Sequence, residues 1–253
     1  MTEVVVVSGA TSGIGEACAR RFLDEGARVV AIGRRADRLE ALAASAAAGG
    51  AAGALLPLEL DLRDRAAVER AFSDLPDSHR EVTVLVNNAG LALGPASALQ
   101  GTPEQWDTMV DTNIKGVLHL TGAILPGMVE RDRGHVINIG SIGGSYAGGS
   151  TVYGGTKAFV HHFSLALRRD LLGRRVRVTC VEPGSVATEF NLVRLGDAGK
   201  AAEAHRGYRP MSADELAEIV HYCHRLPAHM NVNRIELMPI MQAPSAFAIA
   251  RED

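Results

Sequence analysis

The sequence predicts an α/β fold in which a doubly wound parallel sheet carries helices on both faces. Two observations lead to this prediction. Short apolar runs rich in Val, Ile and Leu alternate with longer stretches of helical periodicity along the whole chain. The apolar runs show no polar–apolar alternation, as expected of strands that are covered on both faces. This strand–helix–strand rhythm indicates right-handed crossovers between parallel strands.

The predicted elements follow one another in a regular order. Strands are expected at residues 4–8, 28–32, 55–60, 82–87, 136–139 and 176–181. Helices are expected at residues 13–25, 37–47, 103–125, 151–172 and 213–225. Residues 184–211 lack a clear period, and so long a loop in a compact domain predicts a substrate lid. No linker or internal repeat divides residues 1–253, so a single domain is expected.

Composition and charge exclude several classes of protein. Hydrophobic residues make up 47% of the chain and charged residues 22%, the balance of a globular protein with a large core. The net charge of −3 comes without a basic block, which argues against nucleic-acid binding. Cys18, Cys180 and Cys223 form no CxxC pair, so reduced thiols and no metal site are expected. No signal peptide or membrane span is evident, so a cytoplasmic protein is expected.

A glycine-rich turn directly follows the first predicted strand and opens the first predicted helix. It reads GATSGIG at residues 9–15. Glycine lets the backbone approach a pyrophosphate, whose charge then meets the amides at the helix N-terminus. A plain structural turn is the alternative, but the strand–turn–helix context favours a dinucleotide site in a Rossmann fold.

Two arginines stand where the second predicted strand ends. An NAD site carries an acidic residue about 20 residues past the last glycine, whereas this chain has Gly33, Arg34 and Arg35 there. Guanidinium groups suit the 2′-phosphate of NADP because they make paired hydrogen bonds with it. The alternative is that both arginines are solvated, with Asp37 as a local partner. The sequence therefore favours NADP as the cofactor.

Tyr153 and Lys157 are four residues apart in a predicted helix, so both project from one face. A free phenol has a pKa near ~10, too high for efficient acid–base catalysis at neutral pH. A nearby ammonium favours the phenolate and is expected to lower that pKa. A solvated pair is the alternative. The pattern indicates a catalytic tyrosine that is tuned by a lysine.

Six short motifs together resemble the short-chain dehydrogenase/reductase family over residues 4 to about 190. They are the glycine-rich turn, Asn-Asn-Ala-Gly at 87–90, Asn113, Ser141, the Tyr153–Lys157 pair, and Pro183-Gly184 followed by Thr188. The resemblance implies that Ser141 hydrogen-bonds the substrate oxygen, Tyr153 donates or removes the proton, Lys157 binds the nicotinamide ribose and tunes Tyr153, and Asn113 supports a proton relay.

The same resemblance implies a set of NADP contacts. They are Gly9, Thr11, Ser12, Gly13, Ile14, Gly15, Arg34, Arg35, Asp61, Leu62, Asn87, Ala89, Gly90, Tyr153, Lys157, Pro183, Gly184, Val186 and Thr188. Asp61 matches the adenine contact of the family, and an N-cap for the following helix is its alternative role.

Six stretches, at residues 85–94, 124–131, 135–141, 153–164, 188–199 and 235–242, also resemble one branch of the family, the NADP-dependent 3-hydroxy acid (serine) dehydrogenases. That branch oxidises short 3-hydroxy acids such as serine or 3-hydroxyisobutyrate, or reduces the matching semialdehydes. Ser141 and Tyr153 are twelve residues apart here, one fewer than is usual in the family, and glycines in the intervening loop are expected to absorb the deletion. Ser145 is a lesser candidate for the serine role. The chain also lacks the Trp-Pro pair of this branch in that loop and is one residue shorter near Gly184.

Two other functions remain open, a reductase of another ketone or aldehyde in secondary metabolism and a non-catalytic NADP-binding regulator. A carboxylate substrate needs a cationic partner, and Arg194 in the predicted lid is the candidate, with a solvated arginine as the alternative.

Family resemblance implies a homotetramer packed through residues 103–125 and 151–172. The apolar segment 237–250 is expected to cover a neighbouring subunit.

Overall fold

The computed structural model describes residues 2–147, 150–245 and 248–252. Its strands are β1 Val4–Ser8, β2 Arg28–Gly33, β3 Ala54–Glu59, β4 Val84–Asn87, β5 Gly134–Ile139, β6 Val176–Pro183, β7 Val186–Ala187, β8 Met211–Ser212 and β9 Arg234–Leu237. Seven of them form one parallel sheet in the order β3-β2-β1-β4-β5-β6-β9, while β7 and β8 pair separately. The predicted doubly wound sheet is confirmed.

Helices cover both faces of the sheet. The longer ones are α1 Gly13–Asp24, α2 Ala36–Ala48, α3 Arg65–Ser73, α5 Pro103–Val110, α6 Gly116–Glu130, α7 Thr151–Asp170 and α10 Ala213–Arg225; the short ones are α4 Asp77–Arg80, α8 Phe190–Leu195 and α9 Ala198–Glu203. One apolar core joins α1, α2 and α10 to the sheet, and a second joins α3 and α6 to the opposite face. The strand order reverses between β1 and β4, where α/β proteins of this kind bind ligands.

The structure departs from the prediction in several places, and the helices α3 and α4 are among the elements that were not predicted. The seventh strand of the sheet, Arg234–Leu237, was not predicted because it is a short edge strand with charged residues between its apolar ones. The helix expected over 103–125 is interrupted by a π-helical turn, Asp111–Lys115, and then continues to Glu130. The predicted lid contains α8 and α9 between β7 and β8. No helix within the described residues is long and apolar enough to cross a membrane.

Candidate active site

A cavity of about 1180 Å³ opens at the carboxyl ends of the strands. The ends of β1, β2, β4, β5 and β6 form its floor, and residues of the predicted lid form one of its walls. Parallel strands place their carboxyl ends along one edge of a sheet, so residues distant in the sequence meet here. The cavity is large enough to hold a dinucleotide together with a small substrate.

The glycine-rich turn shapes one end of this cavity. Gly9 has a φ of +68°, and a Cβ there would lie 2.8 Å from Nδ2 of Asn88, so the turn excludes a side chain. Ser12 is the N-cap of α1 and makes no side-chain cap, which leaves the amides of the first turn to bind an anion. Thr11, Gly13 and Ile14 also line the cavity. This cradle fits a pyrophosphate.

The two predicted arginines differ in their surroundings. Arg34 lines the cavity and is exposed, close enough to Asp61 for its charge to help lower the pKa of that carboxyl. Arg35 is fixed by hydrogen bonds that its Nη2 donates to Oγ1 of Thr11 and Oγ of Ser12, both at 2.8 Å. Both arginines therefore line the cavity, and their role as cofactor ligands stays a prediction.

Asp61 lies on the cavity wall, and its carboxylate accepts hydrogen bonds from Arg63. The alternative role considered for Asp61, the N-cap of the following helix, is wrong. Asp64 caps α3 instead, because its Oδ1 accepts a hydrogen bond from the backbone N of Ala67 at 3.0 Å.

Ser141, Tyr153 and Lys157 meet at the other end of the cavity. Ser141 follows β5, and its side chain lies close to that of Tyr153 on α7: a Cβ on Gly143 would lie 3.4 Å from Oγ of Ser141 and 3.7 Å from Cε1 of Tyr153. Lys157, one turn along α7, is 6% exposed and donates from Nζ to the carbonyl O of Ile139 at 2.7 Å. Its Nζ lies 5.8 Å from the centre of the Tyr153 ring. The short Ser141–Tyr153 spacing therefore keeps both side chains together at the cavity, although Gly148 and Gly149 of the intervening loop lie outside the described residues.

The pKa of Tyr153 corrects one expectation. Burial raises the pKa of this phenol to about 12, while the Ser141 hydrogen bond and the charge of Arg194 act in the opposite direction. Burial likewise lowers the pKa of Lys157 to about 8. The expected lowering of the Tyr153 pKa is therefore wrong, because desolvation of the phenolate outweighs the effect of the neighbouring groups.

Asn113 lies in the π-helical turn, behind the cavity rather than on its wall. Its Oδ1 accepts a hydrogen bond from the backbone N of Leu91 at 2.9 Å, and its Nδ2 donates to Oγ1 of Thr156 at 3.0 Å. Gly90 separates Asn113 from Lys157: a Cβ on Gly90 would lie 3.3 Å from Oδ1 of Asn113 and 3.4 Å from Nζ of Lys157. A π-turn of this kind is frequent at functional sites.

Most of the implied cofactor contacts line the cavity: Leu62, Ala89, Gly90, Pro183, Gly184, Val186 and Thr188. Two do not. Asn87 is buried in the sheet, where its Nδ2 donates to Oγ1 of Thr121 and Oδ1 of Asn138, and Asn88 lines the cavity instead. Gly15 packs against the Gly9 carbonyl, where a side chain would collide. Both serve the architecture of the site, and their assignment as cofactor contacts stays a prediction.

Sequence reasoning missed a buried carboxylate that lies behind the short 3₁₀ turn Ile142–Gly144. This turn follows Ser141 and is called the serine turn below. Glu182, at the end of β6, is 0% exposed. It accepts hydrogen bonds from Oγ of Ser145 at 2.8 Å and from Nδ1 of His161 at 2.5 Å, and it pairs with Arg234 at 2.9 Å. Ser145 is therefore held at the back of the turn, which leaves Ser141 as the serine beside Tyr153.

Arg194 lies on α8 and lines the cavity near Tyr153. Its charge contributes to lowering the Tyr153 pKa, and burial lowers its own pKa. Phe190 on the same helix packs against Tyr153, with ring centres 5.4 Å apart. The predicted lid therefore brings a half-buried cation and an aromatic ring to the reactive hydroxyl.

The chain is similar to several known proteins over nearly its whole length. An NADP-dependent 3-hydroxy acid dehydrogenase YdfG from Salmonella typhi is 49% identical over 252 residues, covering 98% of this chain and 99% of its own. A serine 3-dehydrogenase from Rhizobium radiobacter is 46% identical over 254 residues, covering both chains fully. The closed form of a serine dehydrogenase complexed with NADP⁺ matches with a TM-score of 0.90 and 45% identity, covering 98% of this chain and 100% of the other.

A more distant structure, a single-residue variant of an actinorhodin polyketide ketoreductase with NADPH, matches with a TM-score of 0.83 and 29% identity. It covers 93% of this chain and 95% of the other. Residues 3–195 match the short chain dehydrogenase family itself, and this match spans more than half of the chain. With its glycine-rich turn, Ser141, Tyr153 and Lys157 arranged around one cavity, the chain belongs to the short chain dehydrogenase family.

Proposed function

We propose that the protein is an NADP-dependent oxidoreductase that transfers a hydride between the nicotinamide and a short 3-hydroxy acid or its semialdehyde. The observation that carries this proposal is that Ser141, Tyr153, Lys157 and Arg194 line the same end of one cavity. Relatives that are 46–49% identical over nearly the whole chain act on such hydroxy acids according to their names.

The bound nicotinamide supplies or accepts the hydride, and the side chains of this protein bind, orient and move the proton. Ser141 hydrogen-bonds the substrate oxygen. Tyr153 donates its phenolic proton to that oxygen in reduction and removes it in oxidation. Because burial holds the Tyr153 pKa high, the phenol stays protonated at neutral pH and is ready to donate. In oxidation, the positive charges of Lys157 and Arg194 stabilise the phenolate.

Lys157 and Asn113 serve the proton path behind the tyrosine. Lys157 is buried and anchored to the Ile139 carbonyl, which fixes its Nζ near the position that the nicotinamide ribose would take. Asn113 faces Lys157 across Gly90, so a water molecule held between them would continue the path to solvent. Gly90 keeps this space free of a side chain.

Arg194 is the proposed partner of the substrate carboxylate. It is a half-buried guanidinium on the cavity wall, next to the hydroxyl that would meet the substrate oxygen. A guanidinium binds a carboxylate through paired hydrogen bonds, which would select a hydroxy acid over a simple alcohol.

At the opposite end of the cavity, Arg34 and Arg35 would bind the 2′-phosphate of NADP and so select NADP over NAD.

The remaining proposals concern the whole molecule. We infer a single dinucleotide-binding and catalytic domain in the cytoplasm that acts on a small molecule. It assembles as a homotetramer through α5–α6 and α7. Ile240 is 98% exposed in the segment expected to cover a neighbouring subunit, although Ala246 and Phe247 of that segment lie outside the described residues. Light scattering at micromolar concentration is expected to give a tetramer, and a monomer would reject this assembly.

Steady-state kinetics test the function. NADP⁺ reduction is to be followed with L-serine, with 3-hydroxyisobutyrate and with an uncharged alcohol of similar size, and each assay is repeated with NAD⁺. Turnover that favours NADP⁺ and a hydroxy acid supports the proposal. Turnover of the uncharged alcohol alone would support the reductase alternative, for which the 29% identity to a polyketide ketoreductase is the structural ground. NADP binding without turnover of any substrate would support the regulator.

A further inference from the structure

A lid carboxylate occupies the arginines at the cofactor end of the cavity. Oε2 of Glu189 accepts a hydrogen bond from Nη1 of Arg35 at 3.0 Å, and its Oε1 accepts one from Nη1 of Arg38 at 2.7 Å. Both carboxylate oxygens are thus engaged by guanidinium groups of the β2–α2 region, 154 and 151 residues away in sequence. These three residues are called the Glu189 bridge below.

Glu189 and Arg35 of the bridge lie on the wall of the cavity at the glycine-rich turn. Arg35 also donates to Thr11 and Ser12 of that turn, and the Cβ position of Gly13 lies 3.0 Å from Cγ2 of Thr188, the residue before Glu189. Glu189 itself lines the cavity, and its side chain is 37% exposed. The bridge is therefore open to a ligand that enters the cavity.

A carboxylate and a phosphate compete for the same guanidinium donors. Both present two acceptor oxygens to the planar fork of an arginine. Nε and Nη2 of Arg35 are bonded to Thr11 and Ser12, and Nη1 is bonded to Glu189. These bonds use four of the five N–H donors of Arg35, so a phosphate that binds it through paired hydrogen bonds must displace at least one of these three residues. Of the three, Glu189 is the one whose negative charge repels the incoming phosphate.

Other charges near the bridge do not remove this competition. Asp37 and Glu16 add smaller negative contributions at Arg38, while the larger effect on the Arg38 pKa comes from Glu189. The Glu189 pKa is lowered by both arginines, so the carboxylate is charged at neutral pH. The Glu189 bridge therefore combines two guanidinium charges with one carboxylate charge.

We propose that Glu189 is a specificity-determining residue for the cofactor: its carboxylate competes with the 2′-phosphate of NADP for Arg35 and Arg38, and so limits the preference for NADP over NAD. This inference rests on the proposed NADP dependence. Glu189 is also the N-cap residue of α8, which carries Arg194 and Phe190 to Tyr153. A phosphate that displaces Glu189 from the two arginines would therefore act on the N-terminus of the helix that lies over the reactive hydroxyl.

The test is the affinity of the Glu189→Gln variant for NADP⁺ and for NAD⁺, measured by isothermal titration calorimetry without substrate. Removal of one charge about 5–6 Å from a phosphate dianion in an aqueous setting is expected to tighten NADP⁺ binding about tenfold. The affinity for NAD⁺ is expected to stay within about twofold, because NAD⁺ lacks the 2′-phosphate. The fragment 2′-AMP should follow NADP⁺, and 5′-AMP should follow NAD⁺.

Three variants serve as companions. Glu189→Ala also removes the charge and should likewise bind NADP⁺ more tightly. Glu189→Asp keeps the charge, so its affinity for NADP⁺ should stay near that of wild type. Glu218→Gln removes a carboxylate of α10 that also pairs with an arginine, Arg21, but lies outside the cavity wall. It should change neither affinity.

The outcomes separate this inference from the proposed function. If wild type binds NAD⁺ as tightly as NADP⁺, the proposed cofactor is wrong and the inference falls with it. If wild type prefers NADP⁺ but Glu189→Gln binds NADP⁺ equally or more weakly, only the competition is refuted. An equal gain for both cofactors would show a change in the lid and would also overturn the proposal.

Discussion

Lys157 is the residue where the structure predicts a conflict between activity and stability. It is 6% exposed, and burial lowers its pKa from the ordinary 10.5 to about 8. At neutral pH the ammonium is therefore charged in both the folded and the unfolded chain, but it is less well solvated in the folded one. Replacing Lys157 with Met should remove this penalty and abolish turnover at the same time.

The size of the effect follows from the lowered pKa. Each pKa unit corresponds to about 1.36 kcal/mol, so a pKa lowered from 10.5 to about 8 destabilises the folded state by about 3 kcal/mol at pH 7. Loss of the hydrogen bond to the Ile139 carbonyl offsets about 1 kcal/mol of the gain. The variant should then be more stable by about 2 kcal/mol, or roughly 4–8 °C in Tm for a chain of this size.

The pH dependence distinguishes this cause from better packing. A base with a lowered folded-state pKa destabilises the fold fully below about pH 8, and the penalty disappears as the unfolded chain also deprotonates near 10.5. The stability gain of Lys157→Met should therefore be constant below pH 8, shrink between pH 8 and 10.5, and vanish or reverse above that range.

Differential scanning fluorimetry from about pH 6.5 to 11, without cofactor, measures this gain across both pKa values. Lys115→Met is the matched control, since Lys115 is exposed and its pKa is raised by Asp111. The control should lack the gain at neutral pH. A Lys157→Met variant that is less stable than wild type at pH 7, or whose gain does not change with pH, would refute the reasoning.

Two further predictions concern the arginines of the cavity. Replacing Arg34 and Arg35 with Ala should raise the KM for NADP⁺ far more than the KM for NAD⁺, because only NADP⁺ carries the 2′-phosphate; a wild type that prefers NAD⁺ in parallel assays would contradict this. Arg194→Ala should lower kcat/KM for 3-hydroxy acids about ten- to hundredfold, the loss of a charge-assisted contact, and spare an uncharged alcohol of similar size. Equal losses for both substrates would indicate damage to the lid, and no loss would place Arg194 outside the substrate contacts.

The local parts of the site could be predicted from the sequence because each depends on a few residues that are close together in the chain. The glycine-rich turn needs its glycines at fixed positions between a strand and a helix, and Tyr153 and Lys157 need one helical turn between them. The parallel sheet was predictable for the same reason, since its buried strands are continuous apolar runs.

The contacts between distant segments could not be predicted in this way. The Glu189 bridge joins residues more than 150 positions apart, and Glu182 gathers partners from α7, β9 and the serine turn. The Tyr153 pKa was predicted with the wrong sign because proximity to a lysine can be read from spacing, whereas burial depends on the whole fold. The edge strand Arg234–Leu237, which pairs with β6, was missed because its charged residues interrupt the apolar run that marks the buried strands.

The most direct measurement of the central claim is the turnover of Tyr153→Phe beside its affinity for NADPH. Phe keeps the ring that packs against Phe190 but has no proton to donate. The variant is predicted to lose on the order of 10²–10⁴-fold in kcat with the hydroxy acid or its semialdehyde. NADPH should still bind within a few-fold of wild type, since the glycine-rich turn and the arginines are unchanged. Turnover within tenfold of wild type would contradict the claim that Tyr153 moves the proton.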